Sequence, residues 1–224
     1  MQLSVIVPVY NEQATVRQLL TRLVKVPQVK QVVVVDDGST DKTVREINQV
    51  KSSKIELFKK PNGGKGSAVR LGLTKVTGDY VLIQDADLEY DPTDIPAMIE
   101  PVLNGKAKIV FGSRFLGPHL NLLFWHRVGN SLLNFLVNIL FNTTLSDMET
   151  CYKLVPTQVL RDLNLTSHGF DLEPEITCKL LRHGYKIYEV PISYMGRDFL
   201  EGKKITWQDG IVAVGVILKL AVNR

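Results

Sequence analysis

The sequence predicts an α/β fold with a mostly parallel central sheet and helices on both of its faces. Two patterns lead to this fold class. Continuous apolar, β-branched runs alternate with stretches of helical periodicity through the first half of the chain. The runs are apolar at nearly every position, which is typical of strands that are covered on both faces. The 224 residues, 45% hydrophobic and 22% charged, fit a single domain with a sizeable core.

Each element of the first half follows from a local pattern. We expect strands at residues 3–9, 31–35, 55–58, 80–83 and 109–111. Helices are expected at residues 12–24, after a cap at Thr40 or Asp41, after the glycine-rich residues 63–66, and at residues 95–103. Polar residues follow three of the strands, and ligands of such sheets bind beyond the carboxyl ends of the strands. One edge of the sheet therefore collects most of the candidate chemistry.

The second half of the chain has a different character. Residues 101–146 contain no Asp or Glu. A helix is predicted at residues 125–142, and an arc of about 120° holds its polar side chains, Arg127, Asn130, Ser131, Asn134, Asn138 and Asn142. We further expect a strand at 152–155, a helix at 173–182, a strand at 187–190 and an apolar helix from about Trp207. No repeat or linker divides the chain.

Composition argues against several classes of protein. A net charge of +4 is too small an excess for a nucleic-acid-binding surface, so no nucleic-acid partner is expected. Cys151 and Cys178 lie far apart without a CxxC pair, which favours two reduced thiols over a disulfide framework or a zinc site. The N-terminal apolar run lacks a basic region and is interrupted by Pro8, so we expect a strand there and no signal peptide.

The acidic pair Asp85 and Asp87 follows an expected strand. A period of two places both carboxylates on the same side of an extended segment. Two hard oxygen ligands suit Mg²⁺ or Mn²⁺ shared with a diphosphate, and such a metal would neutralise charge on a departing nucleotide diphosphate. Asp-x-Asp is also common in turns, and Asp91-Pro92 nearby favours a turn. The pattern alone leaves both interpretations open.

Three further positions are candidates for binding. Of Asp36 and Asp37, one residue suffices as a cap, and the other is free to bind a base or ribose. Lys65 lies in a glycine-rich segment that fits neither the Walker nor the GxGxxG spacing, which leaves a generic anion site or a plain turn. Arg127 lies alone in an uncharged stripe, where its planar fork suits a phosphate, although scattered basic residues usually form a solvated face.

Five short segments occur in a specific order: Val7-Pro8-Val9-Tyr10-Asn11-Glu12, Val35-Asp36-Asp37-Gly38-Ser39, Gly64-Lys65-Gly66, Asp85-Ala86-Asp87-Leu88 and Gly112-Ser113-Arg114. In this order they resemble the family-2 inverting glycosyltransferases, which have the GT-A fold, and the resemblance covers the whole chain. Within that family the chain is most similar to the polyprenyl-phosphate hexose synthases, typified by dolichol-phosphate mannose synthase. Arg127 with Ser131, residues 146–153 and residues 197–204 carry this narrower likeness.

The resemblance implies a role for each matching residue. Those implied to bind the donor nucleotide are Pro8, Tyr10, Glu12 and Asp36, to which we add Lys65 as an anion site. The residues implied to bind the metal ion and the donor diphosphate are Asp85 and Asp87, and we include Glu89 as a further metal ligand. Those implied to bind the acceptor phosphate are Arg114, Arg127 and Ser131. A loop closing over the donor would carry Arg197, Lys203 and Lys204. Glu89 stands where the mannose synthases carry Gln, which leaves the sugar open.

The resemblance also implies a reaction and a domain organisation. A single catalytic GT-A domain, residues 1–224, would bind the donor nucleotide with residues 1–115 and the acceptor with residues 116–224. A hexose would pass with inversion from a GDP-mannose- or UDP-glucose-type donor to a polyprenyl phosphate. That acceptor is mostly dianionic at neutral pH and needs no strong base. Alternatives are a soluble saccharide or protein acceptor, with Asp147 or Glu149 as base, and a non-catalytic nucleotide-sugar-binding subunit.

Mean hydropathy is near zero, although the sequence contains no clear membrane-spanning segment. The apolar residues concentrate in the sheet and in two helical stretches, 120–141 and 211–222. These helices are expected either to lie at a membrane face or to pack only on each other. We expect an enzyme that is peripheral on the cytoplasmic face of a membrane, with a membrane-protein partner as a further option.

Overall fold

The computed structural model describes residues 1–120, 123–197 and 207–222. The strands are β1 (Leu3–Val9), β2 (Val29–Asp36), β3 (Ile55–Lys59), β4 (Tyr80–Ile83), β5 (Ile109–Ser113), β6 (His119–Leu120), β7 (Lys153–Pro156), β8 (Ile187–Pro191) and β9 (Tyr194–Met195). The helices are α1 (Val16–Leu23), α2 (Thr43–Asn48), α3 (Lys65–Leu73), α4 (Ile95–Leu103), α5 (Phe124–Phe141), α6 (Thr157–Asp162), α7 (Leu172–Arg182) and α8 (Trp207–Val222). Every element expected from the sequence is present, and the largest shift of an end is at α1.

The central sheet has seven strands in the order β3-β2-β1-β4-β7-β5-β8. β7 runs antiparallel to its neighbours β4 and β5, and the other neighbouring pairs are parallel. The expectation of a mostly parallel sheet is therefore confirmed. β6 and β9 pair in parallel as a separate two-stranded sheet. This small sheet brings the chain after β8 back toward the carboxyl edge of the central sheet.

Helices cover the central sheet on both faces, as the sequence predicts. Alternate residues of β1 face opposite sides, because side chains along a strand have a period of two. Val5 and Val7 pack in a cluster with α1, α2 and α4. Ile6 packs on the other face with α3, α6 and α7. Burial on both faces explains why the strands are apolar throughout.

Four features are absent from the sequence-based prediction: β6, β9, α6 and the antiparallel direction of β7. The first three have two, two and six residues, which is shorter than the window in which periodicity can be recognised. The direction of β7 depends on where the preceding connection crosses the sheet, and no local residue pattern encodes it.

A third hydrophobic cluster lies between α5 and α8. Leu133 and Val137 of α5 are buried in it together with Ala213 and Ile217 of α8. The two apolar helices therefore do pack on each other, which is one of the two arrangements expected from the sequence. None of the helices within the described ranges combines the length and the apolar character that crossing a membrane requires.

The polar stripe of α5 lies only partly against the protein: Asn134 is buried and Asn138 is half-buried, whereas Arg127, Ser131 and Asn142 are exposed. Asn134 Nδ2 donates to Ser146 O at 2.6 Å, and Asn134 Oδ1 accepts from Met148 N at 2.8 Å. Asn138 makes the same kind of double contact with the backbone of Leu145, at 2.9 and 2.8 Å. The exposed side carries Phe124, Trp125, Leu132, Phe135 and Ile139. We call these five residues the outer face of α5.

Candidate active site

A cavity of about 1060 Å³ opens at the carboxyl edge of the central sheet, between the ends of β1, β2 and β4. Most of the site residues proposed from the sequence line this one cavity: Pro8, Tyr10, Glu12, Lys65, Asp85, Asp87, Glu89, Arg114, Arg127 and Arg197. The fold thus brings together segments that are far apart in the sequence. The roles of these residues stay predictions, whereas their proximity is an observed property of the fold.

Asp36 does not line the cavity, contrary to expectation. It ends β2, and its Oδ1 accepts a hydrogen bond from Ser39 N at 3.2 Å, so that it closes the turn that follows. The next residue, Asp37, lines the cavity in its place. Because successive side chains at a strand end face opposite ways, only one of the two acids reaches the cavity.

One further expected site residue, Ser131, does not line this cavity either. Ser131 lines a smaller cavity of about 310 Å³ beside Arg127, and its Oγ donates to Arg127 O at 2.8 Å within α5. The two residues are therefore neighbours, as their spacing predicted. Lys203 and Lys204 lie outside the described residues.

An internal carboxylate occupies the anion site of the glycine-rich loop. Asp37 accepts hydrogen bonds from the backbone N–H groups of Gly63 and Gly64, at 3.0 and 2.8 Å. Gly64 has a φ of 88°, which a side chain rarely tolerates, and a Cβ on Gly66 would lie 2.5 Å from Ser167 O. The glycines thus allow a tight turn and a close approach of two backbones, and the amide groups bind Asp37 instead of an external phosphate.

Each of the two paired aspartates faces a basic side chain. Lys65 Nζ lies 2.7 Å from Asp85 Oδ1. Arg197 Nη2 lies 3.3 Å from Asp87 Oδ2 and 3.2 Å from Glu12 Oε1. The two carboxylates therefore share one region of the cavity, and Lys65 and Arg197 partly offset their charge.

This compensation is incomplete at Asp87. Burial raises the pKa of Asp87 to about 7, the charges of Asp85 and Glu89 add to the rise, and Arg197 opposes it. The negative charges of Asp85 and Glu89 add to the effect of burial, and Arg197 offsets them only in part. Additional positive charge is therefore stabilised at this position.

Glu89 has partners other than those expected of a metal ligand. Its Oε2 accepts from Tyr194 Oη at 2.7 Å, and its Oε1 accepts from Arg197 N at 2.8 Å. Met195 N also donates to Glu89 O at 2.9 Å. Through these hydrogen bonds Glu89 holds β9 over the cavity and positions the backbone of Arg197. Among the described residues, no three His, Cys, Asp or Glu side chains converge as a metal-binding group.

A chain of buried charges extends from Asp85 into the protein. Lys65 Nζ lies 3.1 Å from Glu173 Oε1, and Lys153 Nζ lies 2.7 Å from Glu173 Oε2. Burial lowers the pKa of Lys65, but the charges of Asp85 and Glu173 outweigh it and hold that pKa well above its ordinary value. Glu173 begins the first turn of α7, and nothing in the sequence distinguishes it from the neighbouring acids. It is a site residue that sequence reasoning missed.

Arg114 lies at the opposite wall of the cavity and is tightly paired. Its Nε and Nη2 donate to the two carboxylate oxygens of Asp147, both at 2.7 Å, and Asp147 is fully buried. The guanidinium groups of Arg114 and Arg127 both lie over the ring of Phe115, with 5.7 and 5.4 Å to its centroid. The two arginines are therefore neighbours, and Phe115 separates them.

Of the two acids considered as a base, only Glu149 lines the cavity. Burial raises its pKa to about 7, although Lys153 opposes the rise. Its Oε1 is buried and accepts no hydrogen bond from the described residues. Both carboxylate oxygens of Asp147, by contrast, accept hydrogen bonds from Arg114.

The fold and this acidic cavity define the GT-A class of glycosyltransferase folds, in which the acids lie at the carboxyl edge of a mostly parallel sheet. The chain belongs to glycosyl transferase family 2, because the model of that family matches residues 4–163. The resemblance on which the sequence analysis relied is thereby confirmed at the level of the family.

Two curated relatives extend this similarity over most of the chain. The glycosyltransferase AglJ of Haloferax volcanii is 29% identical over 195 residues, which cover 86% of this chain and 63% of the relative. The dolichol-phosphate mannosyltransferase of Pyrococcus furiosus is 29% identical over 218 residues, which cover 92% of this chain and 61% of the relative. The chain thus spans less than two thirds of the length of these relatives.

Solved structures with this fold include glucosyl-3-phosphoglycerate synthase of Mycobacterium tuberculosis. It superposes with a TM-score of 0.77 at 18% identity, over 99% of this chain and 80% of that protein. Another crystal structure of that enzyme contains Mn²⁺, UDP and phosphoglyceric acid, and matches with the same TM-score at 20% identity. At this identity the likeness establishes the fold alone.

Proposed function

We propose that this protein transfers a hexose, with inversion, from a nucleotide-diphosphate sugar to a polyprenyl phosphate. One observation carries the proposal: Asp85 and Asp87 share a cavity with Arg114 and Arg127, and α5 connects that cavity to an exposed apolar surface. Acidic groups suit a metal-bound diphosphate, and arginines suit a phosphate acceptor. The similarity to a protein named dolichol-phosphate mannosyltransferase supports the same acceptor class.

The residues at the end of β4 fit a divalent cation. Asp85 and Asp87 offer two hard oxygen ligands, and the pKa of Asp87 is raised first by burial and then by the negative charges of Asp85 and Glu89. Mg²⁺ or Mn²⁺ bound there would neutralise charge on the departing nucleotide diphosphate. Glu89 is committed to β9, so we assign the protein ligands to the two aspartates alone. Pro8, Tyr10 and Glu12 are then positioned for the nucleoside, and Asp37 holds the glycine-rich loop beside them.

The chain's own residues position the acceptor and do not need to deprotonate it. A phosphate monoester has a second pKa near 6, so the acceptor is already a nucleophile at neutral pH. Arg114, held by Asp147, and Arg127 on α5 supply positive charge for this dianion. The contribution of the protein is orientation and charge neutralisation, which together account for large rate enhancements.

The donor and the acceptor can be identified in one assay. GDP- and UDP-linked hexoses are each incubated with a short polyprenyl phosphate and Mn²⁺ or Mg²⁺, and the lipid is analysed by mass spectrometry. We expect one donor to yield a lipid phosphate heavier by one hexose. If no lipid product forms while phosphoglyceric acid or a saccharide is glycosylated, the acceptor assignment is overturned. A soluble acceptor with Glu149 as base, whose pKa near 7 suits that role, would replace it.

The outer face of α5 supports a second part of the proposal, a peripheral contact with a membrane. Five large apolar side chains on one helix side form a surface that water does not favour, at the mouth of the cavity. The surrounding residues 101–146 carry basic but no acidic side chains, which suits anionic headgroups. A lipid-linked acceptor would then reach Arg127 from the membrane surface.

Replacing Phe135 by serine is expected to weaken binding to vesicles of phosphatidylglycerol and phosphatidylcholine by about tenfold, because one buried aromatic side chain contributes about 1.5–3 kcal/mol. Vesicle co-sedimentation measures the effect. Leu103→Ser is a matched control, since Leu103 on α4 is 64% exposed against 63% for Phe135, and its vesicle binding should be unchanged. Equal binding by Phe135→Ser and the wild type would argue against the membrane contact.

A further inference from the structure

We infer that Lys65 is a positioning residue that holds Asp85 in place before a metal ion binds and competes with that ion for its carboxylate. The inference rests on the metal site of the proposed function, and it assigns Lys65 to the metal ligand instead of to an external phosphate. Three observations carry it: the contact between Lys65 and Asp85, the second contact of Lys65 with Glu173, and the fixed position of Glu173.

The contact between Lys65 and Asp85 involves both carboxylate oxygens. Lys65 Nζ lies 2.7 Å from Asp85 Oδ1 and 2.8 Å from Oδ2. The side chain of Lys65 is only 12% exposed, so solvent screens the pair weakly. An ammonium in this position occupies the oxygen atoms that a cation would use. A metal ion that binds Asp85 must therefore share these two oxygen atoms with the ammonium or displace it.

The second contact provides the ammonium of Lys65 with an alternative ion-pair partner. Lys65 Nζ is also 3.1 Å from Glu173 Oε1, an oxygen for which no other hydrogen bond is present within the described residues. Lys65 is thus shared between two acids, Asp85 of the expected metal site and Glu173 of α7. When Asp85 turns to a metal ion, Glu173 retains the displaced charge.

A second lysine, Lys153, fixes the position of Glu173. Glu173 Oε2 accepts from Lys153 Nζ at 2.7 Å, and Lys153 also donates to Met148 O at 2.9 Å. A fixed Glu173 sets how far Lys65 reaches toward Asp85. The arrangement supplies a buried counter-ion that is strong enough to orient Asp85 and yet has an alternative partner when a divalent cation arrives.

Titration of the protein with Mn²⁺ alone tests this inference. Binding is measured as the decrease of the electron paramagnetic resonance signal of free Mn²⁺. Lys65→Met is expected to bind Mn²⁺ about tenfold more tightly than the wild type, because a buried positive charge beside the ligand is removed. Lys60→Met is the matched control: Lys60 Nζ lies 2.5 Å from Asp37 Oδ1 and is not paired with Asp85, so its loss should leave Mn²⁺ affinity unchanged.

A double variant separates a local contact from a general charge effect. If Lys65 acts through Asp85, the gain in affinity from Lys65→Met disappears when Asp85→Asn is also present. Lys65→Gln serves as a second variant if Lys65→Met does not fold, with the same expected direction.

Unchanged or weaker Mn²⁺ binding by Lys65→Met, no detectable binding by either protein, or a gain that persists with Asp85→Asn overturns the inference. The titration contains no donor or acceptor. A protein that fails to glycosylate polyprenyl phosphate but shows the expected affinities would therefore overturn the acceptor assignment and leave the role of Lys65 standing.

Discussion

Replacing Asp87 by asparagine is expected to reduce sugar transfer by about a thousandfold, equivalent to about 4 kcal/mol of transition-state stabilisation. The change keeps the shape of the side chain but removes one of two carboxylates proposed to hold the metal. Stability should not fall, because burial and the charges of Asp85 and Glu89 already disfavour the ionised form of Asp87 and raise its pKa to about 7. Turnover rates and thermal unfolding measure the two effects separately.

Asp79→Asn provides the control for this variant. Asp79 precedes β4 at the opposite end of the strand, is exposed, and accepts a hydrogen bond from Gln2 N at 3.0 Å. The same chemical change there should leave the rate of transfer unchanged. Near-normal turnover of Asp87→Asn would contradict the metal assignment, and a loss of folded protein would show that Asp87 supports the structure instead.

Replacing Asp147 by asparagine is expected to lower the free energy of unfolding by about 3–5 kcal/mol, because it leaves the guanidinium of Arg114 buried without its counter-charge. Arg114 is 8% exposed, and three hydrogen bonds connect it to Asp147, one of them from its backbone N–H. For a chain of this length, the melting temperature should fall by about 10 °C. Transfer should also weaken, since Arg114 loses the group that orients it.

Two further variants distinguish this cause from a general loss of packing. Asp162→Asn changes an exposed carboxylate that accepts from Gln158 Nε2 at 2.8 Å, and its stability should stay within about 0.5 kcal/mol of the wild type. Arg114→Met combined with Asp147→Leu removes both charges and should restore much of the stability but no activity. A melting temperature of Asp147→Asn equal to that of the wild type would show that the pair does not stabilise the fold.

The central sheet was predictable from the sequence because burial on both faces leaves a strong signal. β1 is apolar at all but one position and β2 contains four consecutive valines, and the structure buries both sides of each strand. Short elements leave no such signal, so β6, β9 and α6 were missed. The family was predictable for another reason: five short polar segments occur in one order along the chain, although each of them alone is ambiguous.

The cavity was predictable as a collection of residues but not in its detailed contacts. That Asp37 rather than Asp36 faces the cavity depends on how β2 ends, which neither residue type reveals. Glu173 reaches Lys65 because residues 167–169, just before α7, pack against the glycine-rich loop, a long-range contact with no local pattern. Part of the polar stripe of α5 faces inward, because Asn134 and Asn138 bind the backbone of residues 145–148.

The exposed outer face of α5 links the handling of the protein to its proposed activity. Exposed aromatic and aliphatic side chains promote self-association in water, and the outer face of α5 offers five of them on one side of a helix. Charged substitutions there would raise solubility, but they would also remove the surface proposed to meet the lipid. Substitutions on this helix that improve solubility in dilute buffer are therefore expected to lower turnover on a lipid substrate.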